Sequence, residues 1–218
     1  MLHSQRRSHW LFIPLLWAFA TALPADTTPA DFLTAQTQFD LGFAGDDAAL
    51  DKAYALFEKL LTEQPGHPLY LAYLGSAMTL KSRAAWMPWN KLKYVEQGLH
   101  FIDKGLAQLK PEHDHALLRD VPVSIETRLV AISTFLGIPG FFNRFDSAKE
   151  LLQSTLAAPA FAAAPPTVQA SVYLQAAQAA RQDKKPAEER GFLDKVLALA
   201  PLSEFALSAQ QRLKELAP

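Results

Sequence analysis

Glu112-His113-Asp114-His115 places two imidazoles and two carboxylates in four consecutive positions, the donor types of a transition-metal site. Such ligands must converge on one ion, with outer groups to orient them. His-x-His converges on a strand, but this segment falls between two helical patterns, and no HExxH or other partner motif accompanies it. It reads as a polar loop in which Asp114 caps the next helix, and no metal site is expected. The chain of 218 residues contains no cysteine, which removes thiolate metal sites, disulfides and lipid attachment at a cleavage-site cysteine. Its Ser, His and Asp residues show no triad spacing, and it has neither a Gly-rich phosphate loop nor a nucleophile elbow. No catalytic residue and no cofactor is expected; an enzyme with an unrecognised site is an alternative.

Arg119, Glu126 and Arg128 form a second set. They fall on one expected helix, from about His115 to Phe135, where Arg119 and Glu126 are seven apart and share a face. They would line a groove and take an acidic ligand or a chain-terminal carboxylate. The simpler alternative is a solvated face with a weak ion pair. Arg144 is similar, in a stretch whose Phe141, Phe142 and Phe145 would staple the fifth and sixth helices together. A third set is Trp86 and Trp89, flanking Met87 and Pro88 and preceding Lys91 and Lys93. These would make an amphipathic interaction patch, or, more simply, a plug that closes a long helix–helix link.

The elements that must position these residues announce themselves through proline. Apolar-periodic stretches run into a proline four times: Ala53 to Pro65, Leu99 to Pro111, Ser147 to Pro159 and Glu189 to Pro201. The prolines lie 46, 48 and 42 residues apart. Proline lacks an N–H and cannot continue a helix, so it fixes where each helical pair turns. Counted from proline, the first copy places Leu56, Phe57, Leu60 and Leu61 inward, and the last places Phe192, Leu193, Val196 and Leu197 at the same offsets. The second copy carries Asp103 at a core offset, and the third fits after a slip of one residue.

Between these stretches the pattern predicts a first helix over Thr28 to Phe43 and a second capped by Asp46 or Asp47. A third follows Gly66-His67-Pro68, and a fourth runs from about Asn90 to Lys110 with Leu92, Val95, Leu99, Ile102 and Leu106 inward. Pro122 sits in the first turns of the fifth or divides it. After an Ala/Pro linker over Ala158 to Pro166, Thr167 caps a helix to Arg181, Pro186 starts another, and Ser203 to Leu216 closes the chain. No period-two run is long enough for a sheet. The expected fold is all-α, with antiparallel helical hairpins.

Half the residues are hydrophobic and only nine are glycine, which suits a helical core. Arg6 and Arg7 precede an apolar stretch from Trp10 to Leu23, at whose end stand Ala20-Thr21-Ala22 and Leu23-Pro24-Ala25, each suited to signal peptidase. Residues 1–25 are expected to be a secretory signal and 26–218 the mature domain. An uncleaved anchor is the alternative, although the stretch is shorter than the roughly 20 apolar residues a spanning helix needs. Cleavage leaves 19 basic against 22 acidic residues, a formal charge of −3. That balance carries no footprint for nucleic acid and no polybasic run. Stable membrane insertion after cleavage is not expected, and a periplasmic or secreted location is.

Ala53, Phe57, Leu60 and Pro65, then Leu74-Gly75, and the set Tyr173, Ala176, Ala177, Ala180, Leu193, Val196 and Pro201 resemble the tetratricopeptide-repeat (TPR) family. Glu189 departs from it, standing where a small residue is usual, and about a dozen extra residues centre on Trp86 to Lys93. The resemblance implies a short right-handed solenoid of stacked hairpins whose concave groove binds a peptide or partner protein. It implies no catalytic residue. The expected function is a non-enzymatic periplasmic interaction module, serving as an accessory to an envelope or transport complex. A small-ligand binding protein with a pocket around Trp86, Trp89 and the Arg119/Arg128 helix is the alternative.

Overall fold

The computed structural model describes residues 29–216; the expected signal segment lies outside them. The described residues are mostly helical. In chain order they form α1 (Ala30–Phe43), α2 (Asp47–Glu63), α3 (Pro68–Lys81), α4 (Pro88–Ala107), β1 (Leu117–Leu118), β2 (Val121–Pro122), α5 (Val123–Gly137), α6 (Phe145–Ala157), α7 (Pro159–Ala163), α8 (Pro166–Gln182), α9 (Pro186–Leu199) and α10 (Glu204–Glu215).

Consecutive helices pack in pairs: α1 on α2, α3 on α4, α5 on α6, and α8 on α9. The first helix of each pair also touches the first helix of the next, so α1 meets α3, α3 meets α5, α5 meets α8, and α8 meets α10. The four prolines stand just beyond the ends of α2, α4, α6 and α9, the second helices of the pairs. Their apolar stripes are buried where the pattern requires, with Phe57 and Leu60 on α2, Leu99 and Ile102 on α4, Ala148 and Leu152 on α6, and Leu193 and Val196 on α9. Asp46 caps α2 by accepting from the Ala49 N–H at 3.0 Å, and Ser203 caps α10 by accepting from Ala206.

The α3–α4 contact is made backbone to backbone. A Cβ on Gly75 would sit 2.4 Å from the Gly98 carbonyl oxygen, and one on Gly98 would sit 2.5 Å from the Gly75 carbonyl oxygen. Gly105 approaches the Pro68 carbonyl in the same way. α3 is therefore buried on nearly every face and carries no polar stripe.

Several expectations are corrected. The fifth helix begins at Val123, not near His115, because Leu117–Leu118 and Val121–Pro122 form a two-stranded antiparallel ribbon. Its turn places Arg119 (φ 53°) and Asp120 (φ 60°) in the left-handed region, as a type I′ turn requires. Asp114 ends a 3-10 turn over Pro111–Asp114 and caps no helix; Pro122 stands at the N-cap of α5. Thr167 lies inside α8, which starts at Pro166 with proline's fixed φ in its first turn. The Ala/Pro linker contains the short helix α7. Leu92 is 42 % exposed and does not face inward, and Phe141 is 70 % exposed, so it staples nothing.

Both charged residues that disturbed the repeat pattern have partners. Arg144 donates to Asp103 and lies 4.9 Å over the Phe135 ring, joining α4 to the start of α6. Glu189 is buried and takes a two-pronged contact from Arg212, 2.5 Å from Nε to Oε1 and 3.2 Å from Nη2 to Oε2, which clamps α9 to α10. Arg212→Ala strands that buried carboxylate. The single variant is expected to unfold at lower urea than the Arg212→Ala/Glu189→Ala double variant, which removes the stranded charge as well. Equal midpoints would mean that the pair is not felt as a buried one.

Candidate functional site

The first helices of the pairs enclose an open cavity of about 910 Å³. It draws Gln36 and Asp40 from α1, Tyr73 from α3, Arg119 and Asp120 from the ribbon turn, Glu126 from α5, Gln175 from α8 and Glu204 from α10. A smaller cleft of about 130 Å³ adjoins it, reaching Ser76, Ser133 and Gln175.

Its floor is a polar knot made by four elements. Glu126 Oε1 accepts from Tyr73 Oη at 2.7 Å, Arg119 Nη2 at 2.7 Å and Gln36 Nε2 at 3.2 Å. Gln36 also donates to the Tyr73 hydroxyl oxygen at 3.0 Å. Glu126 Oε2 is buried without a hydrogen-bond partner. Aromatic packing holds the donors in place. Tyr73 stacks on Phe57 with centroids 4.9 Å apart and meets Phe39 edge-on at 5.0 Å. The Arg119 guanidinium lies 5.7 Å over the Phe32 ring, brought there by the left-handed turn. Sparsely populated backbone conformations of this kind persist only where surrounding contacts hold them.

Burial sets the electrostatics. It raises the Glu126 pKa above its ordinary value, and the opposing pull of Arg119 and the hydrogen bonds is smaller. Burial also raises Asp40, against Arg119 and with help from Glu204. Tyr73 is held well above the usual tyrosine range, first by burial and then by the Glu126 charge. The cavity wall thus carries four carboxyl groups, Asp40, Asp120, Glu126 and Glu204, against the single guanidinium of Arg119. Its sign is acidic.

The residues singled out from sequence are dispersed. Arg119 and Glu126 do meet, but from a ribbon turn to a helix rather than along one helix face. Arg128 is half-buried and lines no part of this cavity; its Nη1 is buried without a hydrogen-bond partner. Arg144 serves Asp103 on α4. Trp86, on the α3–α4 link, and Trp89, in the first turn of α4, are 87 % and 65 % exposed, with Lys93 exposed beside them, so the plug reading fails. Neither tryptophan lines the cavity that holds Arg119. Among these residues no cluster of three or more His, Asp or Glu is arranged to hold a metal ion.

Gln36, Asp40, Tyr73, Gln175 and Glu204 were not anticipated. One signal was present: Gln36 and Asp40 stand four apart on α1 beside Phe32 and Phe39, a polar pair bordering an apolar stripe. Comparison with protein-family models, with curated proteins and with solved structures finds no match in any of the three.

Proposed function

We propose that the protein is a non-enzymatic TPR-like solenoid of stacked helical hairpins. It holds a basic peptide segment of a partner protein in its concave cavity, as an exported, periplasmic interaction module. The observation that carries this reading is the cavity wall. One helix from every pair contributes to it, and it presents four carboxyl groups to one guanidinium. Arg119 is engaged by Glu126, so the sign of the ligand is opposite to the acidic one expected from Arg119 and Arg128. Backbone groups of an extended peptide would meet Gln36 and Gln175, and its lysine or arginine side chains Asp40 and Glu204. The volume also falls within the roughly 300–1,000 Å³ of small-molecule sites, which keeps a small cationic ligand as the second reading.

Labelled ten-residue peptides of basic, neutral and acidic composition, titrated by fluorescence anisotropy, test the proposal. Basic peptides are expected to bind best, to weaken with salt, and to lose about tenfold in affinity in Asp40→Asn/Glu204→Gln. Affinity is also expected to fall as pH drops. Asp40 and Glu126 have raised pKa values, so they lose their charge at higher pH than exposed carboxylates do. Tighter binding of acidic peptides would sink the reading. Competition by a small cation with no peptide binding would move it to the second.

A further inference from the structure

We propose that the Trp86–Lys93 corner is a docking surface for an anionic phospholipid bilayer. Trp86 is 87 % exposed and Trp89 65 %, with Met87 and Leu92 beside them 38 % and 42 % exposed. Two bare indoles in four residues are unusual on a soluble surface, and a patch of this kind marks an interaction site. The corner is braced, not loose. Lys81 pairs with Asp51 at 2.6 Å on one side of the link, and Arg83 donates to the Gly42 and Phe43 carbonyls at the C-terminal end of α1. Pro88 then fixes the first turn of α4, from which Trp89 and Leu92 project three residues apart.

Charge selects the occupant. Residues 81–93 contain Lys81, Arg83, Lys91 and Lys93 and no acidic residue, in a chain whose formal charge is −1. Lys81 and Arg83 are held by the bracing contacts, whereas Lys91 and Lys93 are exposed and form no ion pair among the described residues. α4 also points its N-terminus here, with no acid in its first turn. Neither tryptophan lines the concave cavity, so the corner is a surface apart from the peptide site proposed above. Indole rings settle at the headgroup level of a bilayer, and adjacent lysines pair with anionic headgroups. The proposed contact is at headgroup depth; no helix among the described residues is long and apolar enough to cross a membrane.

The sequence has four tryptophans, Trp10, Trp17, Trp86 and Trp89. In the full chain carrying Trp10→Phe and Trp17→Phe, only the two corner indoles report. Their emission is expected to shift to the blue, and to be quenched by brominated lipid, in phosphatidylglycerol-containing vesicles but not in phosphatidylcholine vesicles. Lys91→Glu/Lys93→Glu, at exposed positions that leave the fold intact by circular dichroism, is expected to weaken the response roughly tenfold or more. Indoles that stay water-accessible on vesicles overturn the proposal, even if the chain associates through another segment. So does an equal response in both vesicle types, or one unaffected by the charge reversal. A photocrosslinker placed at Trp89 that captures a protein in the absence of lipid would assign the corner to a protein partner and also overturn it.

Discussion

Gly98→Leu is expected to cost about 3 kcal/mol of stability, read as a fall in the urea midpoint at unchanged slope. The added Cβ alone would meet the Gly75 carbonyl oxygen at 2.5 Å, Thr79 Cγ2 at 2.6 Å and Thr79 N at 2.9 Å; two of these are backbone atoms, and the Thr79 side chain is held by its hydroxyl's hydrogen bond to the Ser76 carbonyl. α3 and α4 would have to separate. That would open the core that holds Tyr70, Tyr73 and Leu74 on one side of α3 and Ile102 on the other. Gly191 on α9 supplies the contrast. A Cβ there meets nothing within 4 Å, so Gly191→Ala is expected to stabilise by about 0.5 kcal/mol through helix propensity alone. Opposite signs for the two variants would establish that α3 and α4 touch through their backbones. A tolerated leucine at 98 would contradict this packing.

Glu126→Ala is expected to cost about 3 kcal/mol, because it leaves Tyr73, Arg119 and Gln36 without their shared acceptor. The lower part of the range for a broken buried pair applies, since the Arg119 side chain is one-third exposed and regains water. Glu126→Gln keeps an acceptor oxygen and isolates the charge. In the native state the Glu126 pKa is raised above the ordinary 4.5, so the folded protein takes up this proton before the unfolded chain does. Stability linked to this group therefore rises as pH falls from the native value toward 4.5, and is least above the native value. The stability difference between wild type and Glu126→Gln is expected to move in favour of wild type on acidification through that window. Asp40 shifts in the same direction, so both proteins should carry Asp40→Asn. A difference that moves the other way would mean that Arg119 outweighs burial.

Much of the helical order was legible, because its signals are local. Proline follows the ends of α2, α6 and α9 by two residues and that of α4 by four, and helical apolar spacing marks their buried faces. Leu74-Gly75 stands out in the sequence as a pair, but its purpose does not, since the close approach depends on the facing Gly98 on α4. The ribbon escaped because two-residue strands show no alternation, and because Arg119-Asp120 fills a turn usually marked by Asn-Gly. Asp103 and Glu189 read as flaws in a repeat. Each is balanced by an arginine, Arg144 or Arg212, 41 and 23 residues away, a distance over which sequence pattern carries no information. The same limit hid the cavity. Gln36, Tyr73, Arg119 and Glu126 meet only when α1, α3 and α5 are stacked.

Peptide binding in the cavity is open to hydrogen–deuterium exchange measured with and without a saturating lysine- and arginine-rich peptide. Exchange is expected to slow in the ribbon turn at Arg119-Asp120 and at the ends of α1, α5, α8 and α10 that border the cavity, an effect abolished by Asp40→Asn/Glu204→Gln. Protection that falls instead on α2, α4, α6 and α9, or that survives loss of the two carboxylates, would contradict it.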